Sequence, residues 1–289
     1  MKYKLFTYVA VLIGITAVAQ AKPLPAVVDD SEIIKSLSNG LGDLIDKGNV
    51  PTSKKLASQL DKKTCKIDLP TVSSEKPRNI YDKCADSVVA IASVYKCNKC
   101  TEWHNSGAAT GWILTADGVM VSNYHVFGGK DVSGFGIRTR DGRVAPVVEI
   151  LAASKRDDVV IFRVEGKGFI PMALGPDARV GEELHIIAHP DSRFYTYTSG
   201  RVSRYYRKRM PAKDGEGPAI MAVTAEFARG SSGGPVMDVN GNVVGMVAST
   251  QSIYYPPKKK TDKQGPFQMV IRNCVPVSAI RALVEKPGA

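Results

Sequence analysis

Short apolar runs separated by Gly, Asp or Asn make up most of the chain from residue 85 onward. A run at residues 87–95 opens the series, and no internal repeat of fixed period is apparent. Such runs are typical of β-strands joined by tight turns. Apolar spacing at residues 277–284, directly after Pro276, predicts a closing helix. The pattern therefore predicts an all-β region that ends in one helix.

A helical pattern precedes the strands. Apolar side chains recur at helical spacing behind the capping candidates Asp30 and Ser31. These apolar residues are Ile33, Ile34, Leu37, Leu41, Leu44 and Ile45. Gly40 and Gly42 lower the helix propensity of this stretch, and residues 56–60 indicate a second short helix. We expect a helical extension; an unpacked linker, a pro-region and an oligomerisation arm remain alternatives.

The N-terminus has the layout of an export signal. Lys2 and Lys4 precede an uncharged apolar run at residues 5–18, and Ala19-Gln20-Ala21 supplies a small-x-small cleavage motif. This layout predicts a bacterial signal peptide over residues 1–21 and a periplasmic or extracellular protein. A membrane anchor is disfavoured because the apolar run is shorter than the roughly 20 residues of a spanning helix. No later segment could span, so we expect no stable membrane span after signal removal.

Composition and charge are compatible with a globular exported protein. The 289 residues are 44% hydrophobic and carry a formal net charge of +11, and loss of the two leader lysines leaves the chain basic. A positive field favours encounters with acidic partners but does not define a function. Lys258-Lys259-Lys260, after Pro256-Pro257, is interpreted as a solvated loop between strands. We expect no nucleic-acid partner and no cofactor.

The stretch Gly230–Pro235 is the first candidate for chemistry. It places Ser232 among glycines after a strand, an arrangement that leaves a nucleophilic hydroxyl accessible. Gly230 allows backbone N–H groups to converge on one point and stabilise an oxyanion. An ordinary glycine-serine turn would give a similar string. Ser232 therefore needs a base and a carboxylate elsewhere in the chain.

A histidine and an aspartate supply these two groups. The histidines are His104, His125, His185 and His189. His125 is favoured because it directly follows a strand-like run at residues 118–124. Asp158 is the preferred carboxylate because it adjoins the apolar run 159–162, where burial would let it fix the imidazole tautomer. Asp157 remains the alternative.

Four segments together resemble HtrA-type, trypsin-like serine proteases. They are residues 111–126 around the histidine, 158–164 around the aspartate, 198–203 between them and the serine, and 230–245 around the serine. The order His, Asp, Ser is that of chymotrypsin-like enzymes. The resemblance covers roughly residues 85–285.

The resemblance implies a fold and a set of roles. It implies a chymotrypsin-like fold of two six-stranded antiparallel β-barrels at about residues 85–170 and 179–289, within a protease domain at 85–289 that follows the extension at 22–84. The implied function is that of an exported serine endopeptidase acting on polypeptides, with the triad His125, Asp158 and Ser232. Its oxyanion hole would use N–H groups of Gly230, Ser231 and Ser232, and Val247, Ala248 and Ser249 would pair with substrate.

Three finer expectations concern specificity and regulation. Glu226, six residues before the nucleophile, stands where trypsin-like enzymes have the base of the primary pocket, and there it would favour Lys or Arg. The alternative is that Glu226 points elsewhere, because HtrA-type loops differ in path and Arg229 could neutralise it. Ser231 stands where trypsin-like zymogens carry an aspartate, so activation by a new N-terminus is not expected. Only five residues follow Val284, so we expect no PDZ domain. The sequence leaves the oligomeric state open.

The five cysteines leave several interpretations open. An exported protein favours disulfides, and an odd count leaves one cysteine unpaired, with Cys274 as the candidate. Cys97-x-x-Cys100 fits a tight bridge, a redox pair, or a metal site with His104. A structural disulfide is favoured, and no metal site is expected. A protease-fold protein that is catalytically idle and binds peptides or misfolded proteins is the alternative function.

Overall fold

The computed structural model describes residues 27–128, 132–211, 215–257 and 264–285. The expected signal peptide and the lysine run at 258–260 lie outside these ranges. The strands are β1 (Cys65–Lys66), β2 (Val88–Lys96), β3 (Trp103–Ile113), β4 (Val119–Ser122), β5 (Gly134–Arg138), β6 (Val144–Ser154), β7 (Val159–Val164), β8 (Glu183–Ala188), β9 (Thr196–Arg207), β10 (Ala219–Val223), β11 (Pro235–Met237), β12 (Val243–Tyr254), β13 (Phe267–Pro276) and β14 (Val284–Glu285). The helices are α1 (Asp30–Asp46), α2 (Ser53–Ala57), α3 (Ile80–Cys84), α4 (Tyr124–Phe127) and α5 (Val277–Arg281).

Two closed barrels confirm the predicted fold. The first barrel has the strand order β2-β3-β4-β7-β6-β5, and the second has β10-β13-β12-β11-β8-β9. Neighbouring strands within both barrels pair antiparallel. Closure pairs every barrel strand on both sides over at least part of its length and so shortens the exposed sheet edges that invite aggregation.

Aromatic side chains fill the first barrel. The rings of Phe127 and Phe135 lie 4.9 Å apart, and those of Phe127 and Phe162 lie 5.1 Å apart. All three side chains are buried, and each contributes roughly 2–3 kcal/mol through removal of apolar area from water. Phe127 is the last residue of α4, the helical turn that carries His125. This packing therefore anchors the histidine segment to a rigid core.

Helix α1 packs against the first barrel. Leu37 and Leu41 are buried, and a Cβ added at Gly136 would lie 2.8 Å from Leu41. Gly42 also has a packing role, because a Cβ there would lie 2.1 Å from the Trp103 ring. The glycine thus lowers helix propensity but allows close contact between helix and barrel.

The chain end departs from the prediction. The expected helix over residues 277–284 ends early, since α5 covers only Val277–Arg281. Residues 284–285 form β14, which pairs in parallel with β1 through Cys65 and Val284. This pairing joins the extension to the C-terminal part of the second barrel. Among the described residues, no helix is both long and apolar enough to cross a membrane.

Candidate active site

His125 and Asp158 form a doubly hydrogen-bonded pair at the edge of the first barrel. The Nδ1 atom of His125 lies 2.8 Å from Oδ2 of Asp158, and the His125 backbone N–H donates to Oδ1 at 3.0 Å. One contact orients the ring and the other fixes the main chain that carries it. A carboxylate at Nδ1 favours the tautomer with a proton there, which leaves Nε2 free to accept a proton.

The backbone of Asp158 is held in an uncommon conformation. Its φ of 58° lies in the left-handed region, which costs a non-glycine residue of order 1 kcal/mol or more. The buried side chain of Asn123 donates from Nδ2 to the Asp158 carbonyl at 2.9 Å. Asp157 instead accepts from the Ser154 hydroxyl at 2.8 Å. Asp158, rather than Asp157, therefore faces His125.

Ser232 lies on the serine loop (residues 229–234), across the cleft from this pair. A cavity of about 250 Å³ is lined by His125, Gly230 and Ser232, among others. The Ser232 hydroxyl lies 3.5 Å from the Ala248 carbonyl, and the described residues contain no hydrogen bond between Ser232 and His125. His125 and Ser232 thus line one cavity, with Asp158 hydrogen-bonded to His125 and the Ser232 hydroxyl turned toward β12. Such loose contacts are common in active sites without substrate.

Backbone N–H groups of the serine loop support only part of the expected oxyanion hole. Within the described chain, the N–H groups of Gly230 and Ser232 donate no hydrogen bond. The N–H of Ser231 donates to the Ala228 carbonyl at 3.0 Å. The expectation for Ser231 therefore needs correction, because its N–H is already used inside the turn.

Thr110 on β3 holds the serine loop against the first barrel. Its hydroxyl donates to the Gly230 carbonyl at 2.9 Å, and its backbone N–H donates to the Ser232 carbonyl at 2.9 Å. The Asp191 N–H donates to the Arg229 carbonyl at 2.5 Å. Because the C=O and N–H of a trans peptide point in opposite directions, this bond turns the Gly230 N–H away from residue 191.

Glu226 does not lie where the sequence predicted. A cavity of about 200 Å³ beside Ser232 is also lined by Phe227, Ala228, Arg229, Val247, Ala248, Ser249 and Thr250. Glu226 lies outside it: its side chain is 74% exposed and pairs with Arg272 of β13. The expected acidic pocket base is therefore wrong, and Phe227 takes the lining position.

The expected substrate strand has a free edge. β11 pairs with β12 only from Val243 to Met246, and Val247 then bonds the serine loop through residues 233 and 234. Ala248 and Ser249 follow, with a bulge between Val247 and Ser249 where β12 pairs with β13. The side of β12 that faces away from β13 is thus open beside Ser232.

Two supporting residues escaped prediction as site residues. Asn123 directly follows β4, and Thr110 lies on β3. Neither was recognised, because neither is a member of the predicted triad. Their neighbourhood was visible in the sequence, since Asn123 is two residues before His125. Their roles depend on which carbonyls the folded loops bring to them, and spacing along the chain does not contain that information.

The other histidines serve elsewhere. His185 contacts the Tyr197 hydroxyl at 2.7 Å, and burial lowers its pKa. His189 is fully buried, accepts the Tyr195 N–H at Nδ1, 3.0 Å away, and has its pKa lowered to about 4 by that burial. His104 lies 3.0 Å from Sγ of Cys100. None of the three lines the cavity at Ser232.

All five cysteines are free thiols in the structure. The expected structural disulfide is not formed: the Sγ atoms of Cys97 and Cys100 lie 3.4 Å apart, well beyond the roughly 2.05 Å of a disulfide bond. Hydrogen bonds from the Lys99 N–H and the Cys100 thiol lower the pKa of Cys97 to about 7. Burial raises the pKa of Cys84 to about 11, so that thiol is poorly reactive.

Comparisons with known proteins agree with this arrangement. Residues 109–246 match the family described as a trypsin-like peptidase domain. A probable periplasmic serine endoprotease, DegP-like, of Ectopseudomonas mendocina (strain ymp) is 34% identical over 139 residues, covering 47% of this chain and 28% of that protein. Protease Do-like 5, chloroplastic, of Arabidopsis thaliana is 26% identical over 197 residues, covering 61% of each chain.

A solved structure, HtrA-type protease AlgW with decapeptide, shares the fold with a TM-score of 0.57 at 19% identity, covering 71% of this chain and 65% of that one. The chain spans 28% of the length of the DegP-like relative and 61% of the length of the Do-like relative. Residues 109–246 thus match the trypsin-like peptidase family, and the chain is similar over part of its length to DegP-like proteases and in fold to an HtrA-type protease.

Proposed function

We propose that this protein is an exported serine endopeptidase that hydrolyses polypeptides through an acyl-enzyme. The observation that carries the proposal is a cavity lined by both Ser232 and His125, whose ring is hydrogen-bonded to Asp158, beside two backbone N–H groups that donate to no described residue. A nucleophile, an oriented base and oxyanion donors are the parts that acyl transfer requires. Periplasmic relatives support export.

The mechanism assigns one step to each group. Ser232 rotates from Ala248 toward His125, whose Nε2 takes the hydroxyl proton as the oxygen attacks a peptide carbonyl. The N–H groups of Gly230 and Ser232 stabilise the oxyanion, and protonated His125 then gives its proton to the leaving amine. Water, deprotonated by the same imidazole, hydrolyses the acyl-enzyme. Asp158 stabilises the imidazolium throughout.

The proposal is tested with Ser232→Ala and the matched control Ser203→Ala, which alters an exposed serine of β9. We expect Ser232→Ala to lose casein cleavage by about 10⁶-fold, with an unchanged melting temperature, and Ser203→Ala to retain full activity. Casein cleavage by purified Ser232→Ala at the wild-type rate would refute the assignment of the nucleophile.

The primary pocket favours an apolar residue before the scissile bond. Its walls at Phe227, Val247 and Ala248 offer no carboxylate to a substrate cation, and a buried cation without a partner is costly. Cleavage sites in casein, mapped by mass spectrometry, should therefore follow small or medium apolar residues. A majority of sites after Lys or Arg would contradict this pocket assignment but not the triad.

An idle, peptide-binding protein is the second candidate. It is favoured by one observation, the contact of Ser232 with the Ala248 carbonyl instead of His125. A fluorophosphonate probe separates the two functions, because only an activated serine attacks phosphorus. Labelling of the wild type, absent in Ser232→Ala, supports the peptidase; an unlabelled wild type that still binds casein supports the idle protein.

A further inference from the structure

Three metal-ligating side chains meet at the tip of the β2–β3 hairpin. Cys97 directly follows β2, Cys100 lies in the turn, and His104 is the second residue of β3. The Cys97 and Cys100 sulfurs are 3.4 Å apart, and Cys100 Sγ lies 3.0 Å from Nε2 of His104. All three donor atoms fall within 4.8 Å of one another. The mechanism above uses none of them.

These distances are close to those of a tetrahedral zinc site. With Zn–S bonds of about 2.3 Å and a Zn–N bond of about 2.0–2.1 Å, two sulfur ligands are separated by about 3.8 Å and a sulfur and a nitrogen by about 3.5 Å. The observed separations are a few tenths of an ångström shorter. Side-chain rotation alone can open them to admit an ion, so the backbone needs no rearrangement.

The hairpin holds the ligands in this arrangement. Tyr95 of β2 pairs with His104 of β3, and their rings lie 5.6 Å apart. The Lys99 N–H donates to Cys97 Sγ at 3.4 Å, a type of bond that orients a ligating sulfur and tunes the metal it holds. Cys97 and His104 are thus held by the paired strands β2 and β3, and Cys100 is held by the short turn between those strands.

The cluster also adjoins the contact between hairpin and extension. Asp46 at the end of α1 pairs with Lys96 at 3.0 Å and accepts from the Trp103 indole at 3.1 Å. These two residues neighbour Cys97 and His104 along the chain. An ion bound by the cluster would therefore fasten both strands of the hairpin where α1 contacts them.

We propose that Cys97, Cys100 and His104 bind one Zn²⁺ ion, whose fourth coordination position is open to solvent. Thiolate and imidazole ligands favour zinc over harder cations such as Mg²⁺ or Ca²⁺. Three protein ligands and an exposed loop make this a weaker site than the closed four-ligand sites of zinc fingers. Its role is to stabilise the hairpin tip and its contact with α1.

Cobalt titration of the reduced, purified protein tests the site. Co²⁺ should bind at one ion per chain, with a sulfur-to-cobalt charge-transfer band in the near ultraviolet, and Zn²⁺ should abolish that band by displacement. Cys97→Ser, Cys100→Ser and His104→Gln should each weaken Zn²⁺ binding by about 10-fold or more. The matched control Cys65→Ser, a half-buried cysteine outside the cluster, should bind as the wild type does.

Several results would overturn the proposal. One is a Cys97→Ser variant that binds cobalt with the wild-type affinity and band intensity; another is no band at all when thiol counting finds five reduced cysteines. A Cys97–Cys100 disulfide in protein isolated without reductant would establish the redox pair instead. Casein cleavage that depends on Ser232 is measured in the same cluster variants. The peptidase assignment stands if this cleavage is retained, whether or not the variants bind zinc.

Discussion

Asp158 keeps its carboxylate on His125 although its backbone occupies the left-handed region. At the scale of single residues, the contact that opposes this strain is the hydrogen bond from the buried Asn123 amide to the Asp158 carbonyl. Asn123 touches no reacting atom, so it acts as a positioning residue. Its loss should loosen the carbonyl and thereby shift the carboxylate relative to the imidazole.

Asn123→Ala should therefore lower kcat by about 10-fold or more with little change in KM, since small misplacements of catalytic groups are costly. The matched control is Asn242→Ala, another buried asparagine, whose amide donates to the Ser73 carbonyl and to the nearby Asp238 carboxylate. Both variants should lose about 1–3 kcal/mol of unfolding free energy. If Asn242→Ala lowers kcat as much as Asn123→Ala does, the effect of Asn123 on kcat arises from general destabilisation and not from positioning of Asp158.

The structure pairs His125 with Asp158 and brings His125 and Ser232 to one cavity. Glu226, in contrast, lies away from the pocket where the sequence placed it, and the reason is physical. The triad residues stand at strand ends, where period-two patterns and turn glycines mark the position directly. Glu226 was assigned by counting back from Ser232, which assumes a path for the loop. The pairing of β10 with β13 instead brings Arg272 to Glu226, a long-range contact that local patterns do not encode.

At the scale of elements, helix α1 contacts the β8–β9 loop (residues 189–195), and that loop in turn contacts the serine loop. The carboxylate of Asp30 accepts the Phe194 N–H at 2.8 Å. Phe194 lies on the β8–β9 loop, whose Asp191 N–H holds the Arg229 carbonyl. Three residues of that loop have positive φ: Asp191, Ser192 and Tyr195. Such a loop needs external contacts to keep its shape.

Asp30→Ala should therefore lower kcat by about fivefold, equivalent to ~1 kcal/mol for one lost hydrogen bond. Asp30→Asn keeps an accepting oxygen and should restore most of the rate. Asp43→Ala, which removes an exposed carboxylate from the same helix, should leave kcat unchanged. Steady-state kinetics on a peptide substrate provide the measurement, and an unrescued Asp30→Asn variant would argue against this route.

The elements themselves were predicted with uneven success. Helix α1 and the alternation of strands follow from periodicity, whereas the early end of α5 and the β1–β14 pair do not. Two-residue strands carry too few residues for a pattern, and their pairing joins positions 65 and 284. Gly42 was interpreted as a weakness of the helix because its partner, Trp103, lies across a tertiary contact.

At the scale of the whole molecule, the free energy of unfolding depends on pH, and His189 sets a pH range over which it should change. Its ring is fully buried against Phe194 and Tyr195, and burial lowers its pKa from 6.5 to about 4. Between these values the unfolded chain binds a proton at this residue and the folded protein does not. Folding stability from His189 is therefore complete above pH 6.5 and declines as the pH falls toward 4.

The free energy of unfolding should accordingly fall by about 3 kcal/mol between pH 6.5 and pH 4 on account of His189. Urea denaturation across this range measures the decline. His189→Gln retains an acceptor for the Tyr195 N–H but cannot take up the proton, so its decline should be shallower by that amount, even though the variant is less stable at pH 7.

His185→Gln should remove a part of the decline as well, because burial also lowers the pKa of His185. An identical slope in wild type and His189→Gln would show that the proton is taken up elsewhere. The carboxylates with lowered pKa, Asp46, Asp117 and Asp141, start from an ordinary value of 3.8 and therefore act mainly below this range.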